Sequence, residues 1–313
     1  MTYAERKEEE LKKQIIEGNA PSDLVEFWEE QIELLRKIPI KTERRKLDLP
    51  YKSFDAYEIK FNTHDATEVL GYLCVPKHKE GERLPLVLMY HGGGNASGIY
   101  PDVVATGVCT FSPDVRSQGA LTYDKAVYDI CDDYRGALMT HGVLDKNNFY
   151  MRNIYLDAVR AAWVGAALPE VDPERIVAHG QSQGGALSIF SAIFSGVVKK
   201  VYPSVPSFSC LVDRVEAGSG VFDAVKKMLT KHPEYTDTAL DTLSYFDINN
   251  LSSLLRVPSH FSLGLIDGTC LPKFVYSVYH HAGGDKKITL DPFTPHRPSE
   301  AYLMEIYREF ANM

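Results

Sequence analysis

The chain has 313 residues, 44% of them hydrophobic and 24% charged, proportions that suit one soluble domain with a large core. Its net charge of −8 and the lack of a basic stripe speak against nucleic acid and anionic membrane as partners. No run of about 18 apolar residues occurs, and the charge-dense start from Met1 to Lys13 has no apolar segment, so neither a membrane span nor a secretion signal is expected.

Residues 3 to 38 read as helical, charged at first and then striped with Leu24, Phe27, Trp28, Ile32 and Leu35. Such a stripe can pack on its own domain or help an oligomer assemble, and the pattern does not choose. From Tyr57 the period falls to two. Tyr57, Ile59 and Phe61 alternate with polar residues, Asn62 to Asp65 supply a turn, and Leu70, Tyr72 and Cys74 alternate again, which predicts an antiparallel hairpin. Unbroken apolar runs of the kind that buried parallel strands show come next: Leu86 to Tyr90, Gly107 to Phe111, Ile176 to Ala178 and Phe261 to Ile266. Among them lies a helix pattern, Tyr150 to Leu168, with Ile154, Ala158, Ala161, Gly165 and Leu168 on one face. A strand around Val198 to Val201 is followed by a helical stretch, Phe208 to Leu255, that includes Asp223 to Thr230 and Leu251 to Leu255. An insertion there would lie over the carboxyl ends of the strands, as a lid. The expected fold is α/β: a doubly wound, mostly parallel sheet in a single domain over 1–313, with a helical N-terminal extension over 1–40 and a helical lid over about 208–255.

One stretch reads as chemistry. Gly180-Gln181-Ser182-Gln183-Gly184-Gly185 stands between the apolar run ending at His179 and the helix-compatible run from Ala186. Strand, Gly-x-Ser-x-Gly, helix is the nucleophile elbow of the α/β-hydrolases. The glycines answer a steric demand, because the serine sits on a sharp turn whose flanks must come close to neighbouring chain. The turn aims the hydroxyl at the positive end of the following helix, where an anion is stabilised. A serine needs a positioned base, and in this fold the acid and then the histidine follow it, each on a loop after a strand. Asp267 closes the run Phe261 to Ile266, and His296 lies in the loop after Lys287 to Leu290.

Rivals exist for both. Asp291 is the next candidate acid, but it shares the loop of His296, so topology favours Asp267. His280 and His281 fall at the end of a helical stretch from Lys273, His179 reads as a core residue, and His64, His78, His141, His232 and His260 read as loop or edge residues. His91-Gly92-Gly93-Gly94 follows the strand Leu86 to Tyr90, placing the N–H of Gly93 as one oxyanion donor and that of Gln183 as the other. The five cysteines, Cys74, Cys109, Cys131, Cys210 and Cys270, are odd in number and scattered. They read as reduced, mostly buried thiols of a cytoplasmic protein, with no zinc site. Acyl transfer by such a constellation requires no metal or cofactor.

These residues resemble carbohydrate esterase family seven, the acetyl xylan esterases and cephalosporin-C deacetylases. The family's Gly-Gly-Ser-Gln-Gly-Gly is matched by Gly180 to Gly185, its Arg-Gly-Gln-Gly by Arg116-Ser117-Gln118-Gly119, and its Gly-Leu-x-Asp by Gly264 to Asp267. Similarity continues through Gly142 to Asp145, Asp157 to Ala161, Val171 to Ile176 and Leu243 to Asp247, covering the chain from about Phe27 onward. The resemblance implies an esterase that removes acetyl groups from xylo-oligosaccharides or small esters such as cephalosporin C. It also implies structural support of the nucleophile loops by Arg116 and Gln118, and a homo-oligomer, commonly a hexamer with sites facing an internal chamber. A broader carboxylesterase or a non-catalytic hydrolase-fold binding protein are the alternatives. Three departures stand out: Gly93 replaces the family's tyrosine, Ser117 a glycine, and Arg297 the glutamate after the histidine. They leave the triad intact and bear on the substrate, with Gly93 as the substrate-facing position.

Overall fold

Strand-forming segments assemble into one sheet, in a computed structural model that describes residues 1–79, 81–119, 121–129 and 137–313. The strands are β1 (Thr42–Lys46), β2 (Phe54–Asn62), β3 (Glu68–Pro76), β4 (Leu84–Tyr90), β5 (Cys109–Pro113), β6 (Val171–Gln181), β7 (Lys200–Ser204), β8 (Ser259–Gly264) and β9 (Lys286–Asp291). Their spatial order is β1-β2-β3-β5-β4-β6-β7-β8-β9. The hairpin expected around Tyr57 to Cys74 is β2 paired with β3, Ile59 opposite Gly71. β1, β2 and β3 run antiparallel and β3 is antiparallel to β5, whereas β5 through β9 are mutually parallel along the sheet.

Helices cover both faces: α1 (Tyr3–Leu11), α2 (Leu24–Arg36), α3 (Pro101–Val104), α4 (Tyr150–Ala166), α5 (Gln183–Phe194), α6 (Leu211–Ala217), α7 (Asp223–Lys231), α8 (Thr236–Ser244), α9 (Ile248–Leu251), α10 (Pro272–His281) and α11 (Glu300–Ala311). The period of two along β4 shows how the faces divide. Leu86, Leu88 and Tyr90 join the core formed with α2, α4 and α5, while Val87 and Met89 join the core beneath α11. None of the described helices is long and apolar enough to cross a membrane.

Several expectations shift. The helical reading of residues 3 to 38 breaks between Gln14 and Leu24. Gly18 and Pro21 disfavour helix there, and the exposed backbone is satisfied by tertiary contacts: Ile16 N–H donates to Ser277 Oγ at 2.9 Å and Asn19 N–H to Asn250 Oδ1 at 2.9 Å. The stripe on α2 packs on its own chain. Trp28 is fully buried against Tyr155, Phe190 and Phe246 and donates its indole N–H to the carbonyl of Tyr245 at 2.8 Å. Strands β5 and β7 lie about two residues further along than their apolar runs suggest, after turns in which Gly107 and Gly196 take positive φ of 95° and 73°. β8 ends at Gly264, two residues before the end of its apolar run, and Ile266 is exposed.

His260, read as a loop or edge residue, is a correction. It lies inside β8 opposite Lys287 of β9, fully buried against the ring of Tyr302 on α11. A lone polar residue at a strand start looks like an edge until the helix that covers it is known. Cys74, Cys109, Cys210 and Cys270 are buried free thiols, and Cys131 lies outside the described residues.

Candidate active site

β6 runs directly into Ser182, and α5 begins at the next residue. Ser182 has φ 57° and ψ −120°, a conformation that side-chain-bearing residues adopt only when their surroundings enforce it. Here the enforcement is visible. Ser182 N–H donates to Ser204 C=O at 2.9 Å, and its own carbonyl accepts from Ser207 N–H at 3.0 Å and Ala186 N–H at 3.1 Å. A Cβ on Gly184 would sit 1.9 Å from the carbonyl oxygen of Tyr90, so glycine alone lets α5 start against β4. Gln183 is the first residue of α5, where backbone N–H groups have no partner within the helix.

The loops after β8 and β9 converge on this turn. A Cβ on Gly264 would lie 2.2 Å from Thr294 C=O, so the loop carrying His296 packs directly on the end of β8. His296 Nδ1 is 2.7 Å from Asp267 Oδ2, and the Asp267 side chain is shut off from solvent. The other carboxylate oxygen, Oδ1, accepts the N–H groups of Thr269 at 2.8 Å and Cys270 at 2.9 Å. Both lone-pair sets of the acid are thus aimed. A carboxylate oxygen can only accept, so Nδ1 carries the proton and Nε2 is left able to take one. Gln181 Nε2 donates to His296 C=O at 2.9 Å, tying the histidine loop to the residue before Ser182.

Burial opposes a charge on His296, but its hydrogen bond to the Asp267 carboxylate, supported by the Cys270 sulfur and by the carboxylate's negative charge, outweighs it and pushes its pKa up to about 9. A base works only when unprotonated. Ester turnover is therefore expected to rise with pH through an ionisation above the ordinary histidine value of about 6.5. Asp267→Asn, which removes the charge favouring the imidazolium, should move that limb to lower pH in a profile of kcat/KM. An unmoved limb would assign the ionisation to another group.

Ser182, His296, Gly93 and Gln183 line one cavity of about 260 Å³, walled also by Phe208, Arg214 and Phe222 of the segment between β7 and β8. The helical segment expected there is present as α6 to α9, and residues from it line the cavity.

The glycine loop after β4 is held from below. His91 Nε2 accepts Val115 N–H at 2.9 Å. Gln118 Oε1 accepts Gly94 N–H at 3.0 Å, and the side-chain amides of Gln118 and Gln183 pair reciprocally at 2.8 and 3.0 Å. Arg116 is wholly buried. It makes a bidentate pair with Asp157 (2.6 and 2.8 Å) and reaches Asp65 at 2.7 Å and Asp124 at 3.1 Å, while its carbonyl accepts from Tyr150 Oη at 2.6 Å. Both residues bond to the loops around Ser182, and neither lines the 260 Å³ cavity. Arg116→Met should cost about 3–5 kcal/mol in urea unfolding, since it strands three carboxylates around an uncharged side chain. A loss below about 1 kcal/mol would put the network among exposed pairs of little energetic consequence.

The rival groups lie elsewhere. His179 is buried in β6 with Nδ1 2.7 Å from Tyr202 C=O; His280 and His281 end α10. Asp291 ends β9, and burial raises its pKa. Sequence reasoning missed the side chain of Gln183, named there only for its backbone N–H, and two further residues. The Gln183 side chain pairs with Gln118. The Cys270 sulfur, a carboxylate oxygen of Asp267 and a ring nitrogen of His296 all lie within 4.8 Å of one another. The buried guanidinium of Arg214 lies over the Phe274 ring and donates to Thr269 C=O at 3.1 Å. For Cys270 the signal was its position three residues after Asp267, close enough to cap the carboxylate; the other two depend on long-range contacts.

A mainly parallel sheet with a strained serine between strand and helix, and an acid and a histidine after later strands, defines an α/β-hydrolase fold. The chain belongs to the acetyl xylan esterase (AXE1) family, whose profile matches residues 1–312. It is 28% identical over 286 residues to acetyl esterase Axe7A of Xylanibacter ruminicola, spanning 88% of this chain and 63% of that longer protein. Among solved structures, an acetyl xylan esterase from Paenibacillus sp. R4 superposes with a TM-score of 0.90 at 27% identity, covering 100% of this chain and 99% of that one. Acetyl xylan esterase 1 of Thermoanaerobacterium sp. JW/SL YS485 shares the fold with a TM-score of 0.88 at 23% identity, over 97% and 98%. The acylaminoacyl peptidase of Pyrococcus horikoshii shares it more distantly, with a TM-score of 0.60 at 18% identity, over 84% of this chain and 41% of that one.

Proposed function

We propose that this protein is a serine esterase that removes acetyl groups from acetylated xylo-oligosaccharides or related small acetyl esters. The observation that carries the reading is the 2.7 Å contact between buried Asp267 and His296 at a cavity that Ser182 also lines. His296 Nε2 takes the proton of Ser182 as Oγ attacks the ester carbonyl, and Asp267 stabilises the imidazolium that forms. The backbone N–H groups of Gly93 and Gln183 receive the oxyanion, each such donor lowering the barrier by about 3–4 kcal/mol. Collapse passes the proton from His296 to the departing alcohol and leaves an acetyl group on Ser182. Water, deprotonated by His296, then releases acetate and restores the serine. Every step uses side chains and backbone of this chain.

The test is acetate release from acetylated xylo-oligosaccharides and from 4-nitrophenyl acetate, with phenylmethylsulfonyl fluoride as a covalent probe. Labelling should map to Ser182 and stop turnover. Labelling elsewhere, or turnover that survives full labelling of Ser182, would overturn the assignment. A homo-oligomer, a hexamer by family resemblance, and a cytoplasmic location complete the reading; light scattering on the purified protein tests the first.

A further inference from the structure

The cavity holding Ser182 and His296 adjoins a second one on its oxyanion side, of about 530 Å³, and both cavities are lined by Gly93, Gln183, Gly220 and Val221. Two of these four carry no side chain. A Cβ on Gly93 would meet nothing nearer than Gln183 Oε1 at 3.7 Å, and one on Gly220 nothing nearer than Thr269 Cγ2 at 3.9 Å. Gln183, the third, is drawn aside and fixed by its amide pair with Gln118. Apart from Val221, the boundary between the two cavities therefore carries little side-chain bulk.

Reaction geometry decides which half of an ester this space can take. The tetrahedral carbon holds the serine oxygen, the oxyanion, the alcohol oxygen and the acyl chain. His296 must touch the alcohol oxygen to protonate it, and His296 lines the smaller cavity and not the larger. The acyl chain is the substituent with no such obligation. It is free to pass beside the oxyanion donors into the larger space.

Resting on the esterase reading above, the geometry points to a further activity: cleavage of esters whose acyl group is far larger than acetyl. The second cavity falls within the range of about 300–1,000 Å³ typical of sites that bury small molecules, and a two-carbon acetyl group makes no use of it. Its walls name the class. Leu138, Met139, Val221 and Ala224 offer apolar surface, while the Gln118 amide and the Asp223–Lys227 pair, 2.6 Å apart, lie on its rim. An aryl-substituted acyl group, apolar in its body and carrying a hydroxyl at its far end, fits that pattern. Chemistry at the carbonyl is unchanged: the Ser182 acyl-enzyme bond forms, the ester bond breaks, and water releases the larger acid.

The experiment measures kcat/KM for 4-nitrophenyl esters of acetic, butyric and 3-(4-hydroxyphenyl)propionic acid, in which the leaving phenol is constant. The wild-type value for the aryl ester should lie within about tenfold of that for acetate, whereas Gly93→Tyr and Ala224→Trp should each lower the aryl-to-acetate ratio by about 10- to 100-fold, the scale on which a pocket discriminates. Ala224 stands on α7, away from the glycine loop, so it decides the matter if Gly93→Tyr does not fold. Acetate turnover with an aryl ester cleaved less than about a thousandth as well, or ratios unchanged in the folded variants, overturns this proposal and leaves the esterase reading standing. Absence of turnover on every ester by folded wild-type protein overturns both.

Discussion

Ser182→Ala is expected to lower ester turnover by about 10⁶-fold while the protein remains folded, the loss seen when the nucleophile of a triad is removed. Folding should survive because the strained turn is held by backbone groups: Ser204 C=O accepts from residue 182, and the carbonyl of 182 accepts from Ser207 and Ala186. Alanine keeps all three and loses only the hydroxyl. What remains should be the modest acceleration that oxyanion donors and substrate binding give without a nucleophile, about 10³–10⁴ over water. The measurement is steady-state hydrolysis of 4-nitrophenyl acetate by freshly purified variant, alongside its thermal unfolding midpoint. Turnover above about a thousandth of wild type, with the midpoint retained, would mean that another group attacks the ester.

What could be read in advance depended on whether a residue's role is fixed locally. The elbow was legible because its steric demand is written in adjacent letters: the 1.9 Å approach at Gly184 forbids any other residue, and Ser182 is placed by the turn that this glycine permits. The β2–β3 hairpin was legible for a similar reason, its alternation setting the register of nine residue pairs. Asp267 and Asp291 were harder, since Asp291 ends β9 shortly before His296, whereas Asp267 lies beyond the end of β8 and 29 residues before the histidine. The parallel pairing of β8 with β9 sets Gly264 opposite Asp291, so the two strands end side by side, and the loops that follow them bring Asp267 onto His296. The break before α2, the burial of His260 beneath α11 and the Gln118–Gln183 amide pair are products of contacts between distant segments. Composition and periodicity carry no record of them. The cavity beside Gly93 belongs to the same class: the missing side chain was visible, but the space next to it is walled by α7 and by Leu138 and Met139.

His296→Ala and Asp267→Asn are expected to be grossly non-additive. Loss of the base alone should cost turnover about 10⁶-fold, as much as losing the whole triad, and loss of the orienting carboxylate about 10⁴-fold. If the two acted separately, the double variant would be slowed by about 10¹⁰-fold. The structure gives Asp267 no route to the ester except through the imidazole: its side chain is sealed from solvent, one oxygen is occupied by the N–H groups of Thr269 and Cys270, and the other faces His296 Nδ1 at 2.7 Å. Once the imidazole is gone, the carboxylate has nothing left to orient, and its amide replacement can do no further harm. The double variant should therefore match His296→Ala within about threefold. Rates for all four proteins on one ester, with enzyme concentrations high enough to resolve the slowest, settle it. Multiplicative losses would show that Asp267 acts apart from His296, and would direct the search for the orienting acid to Asp291.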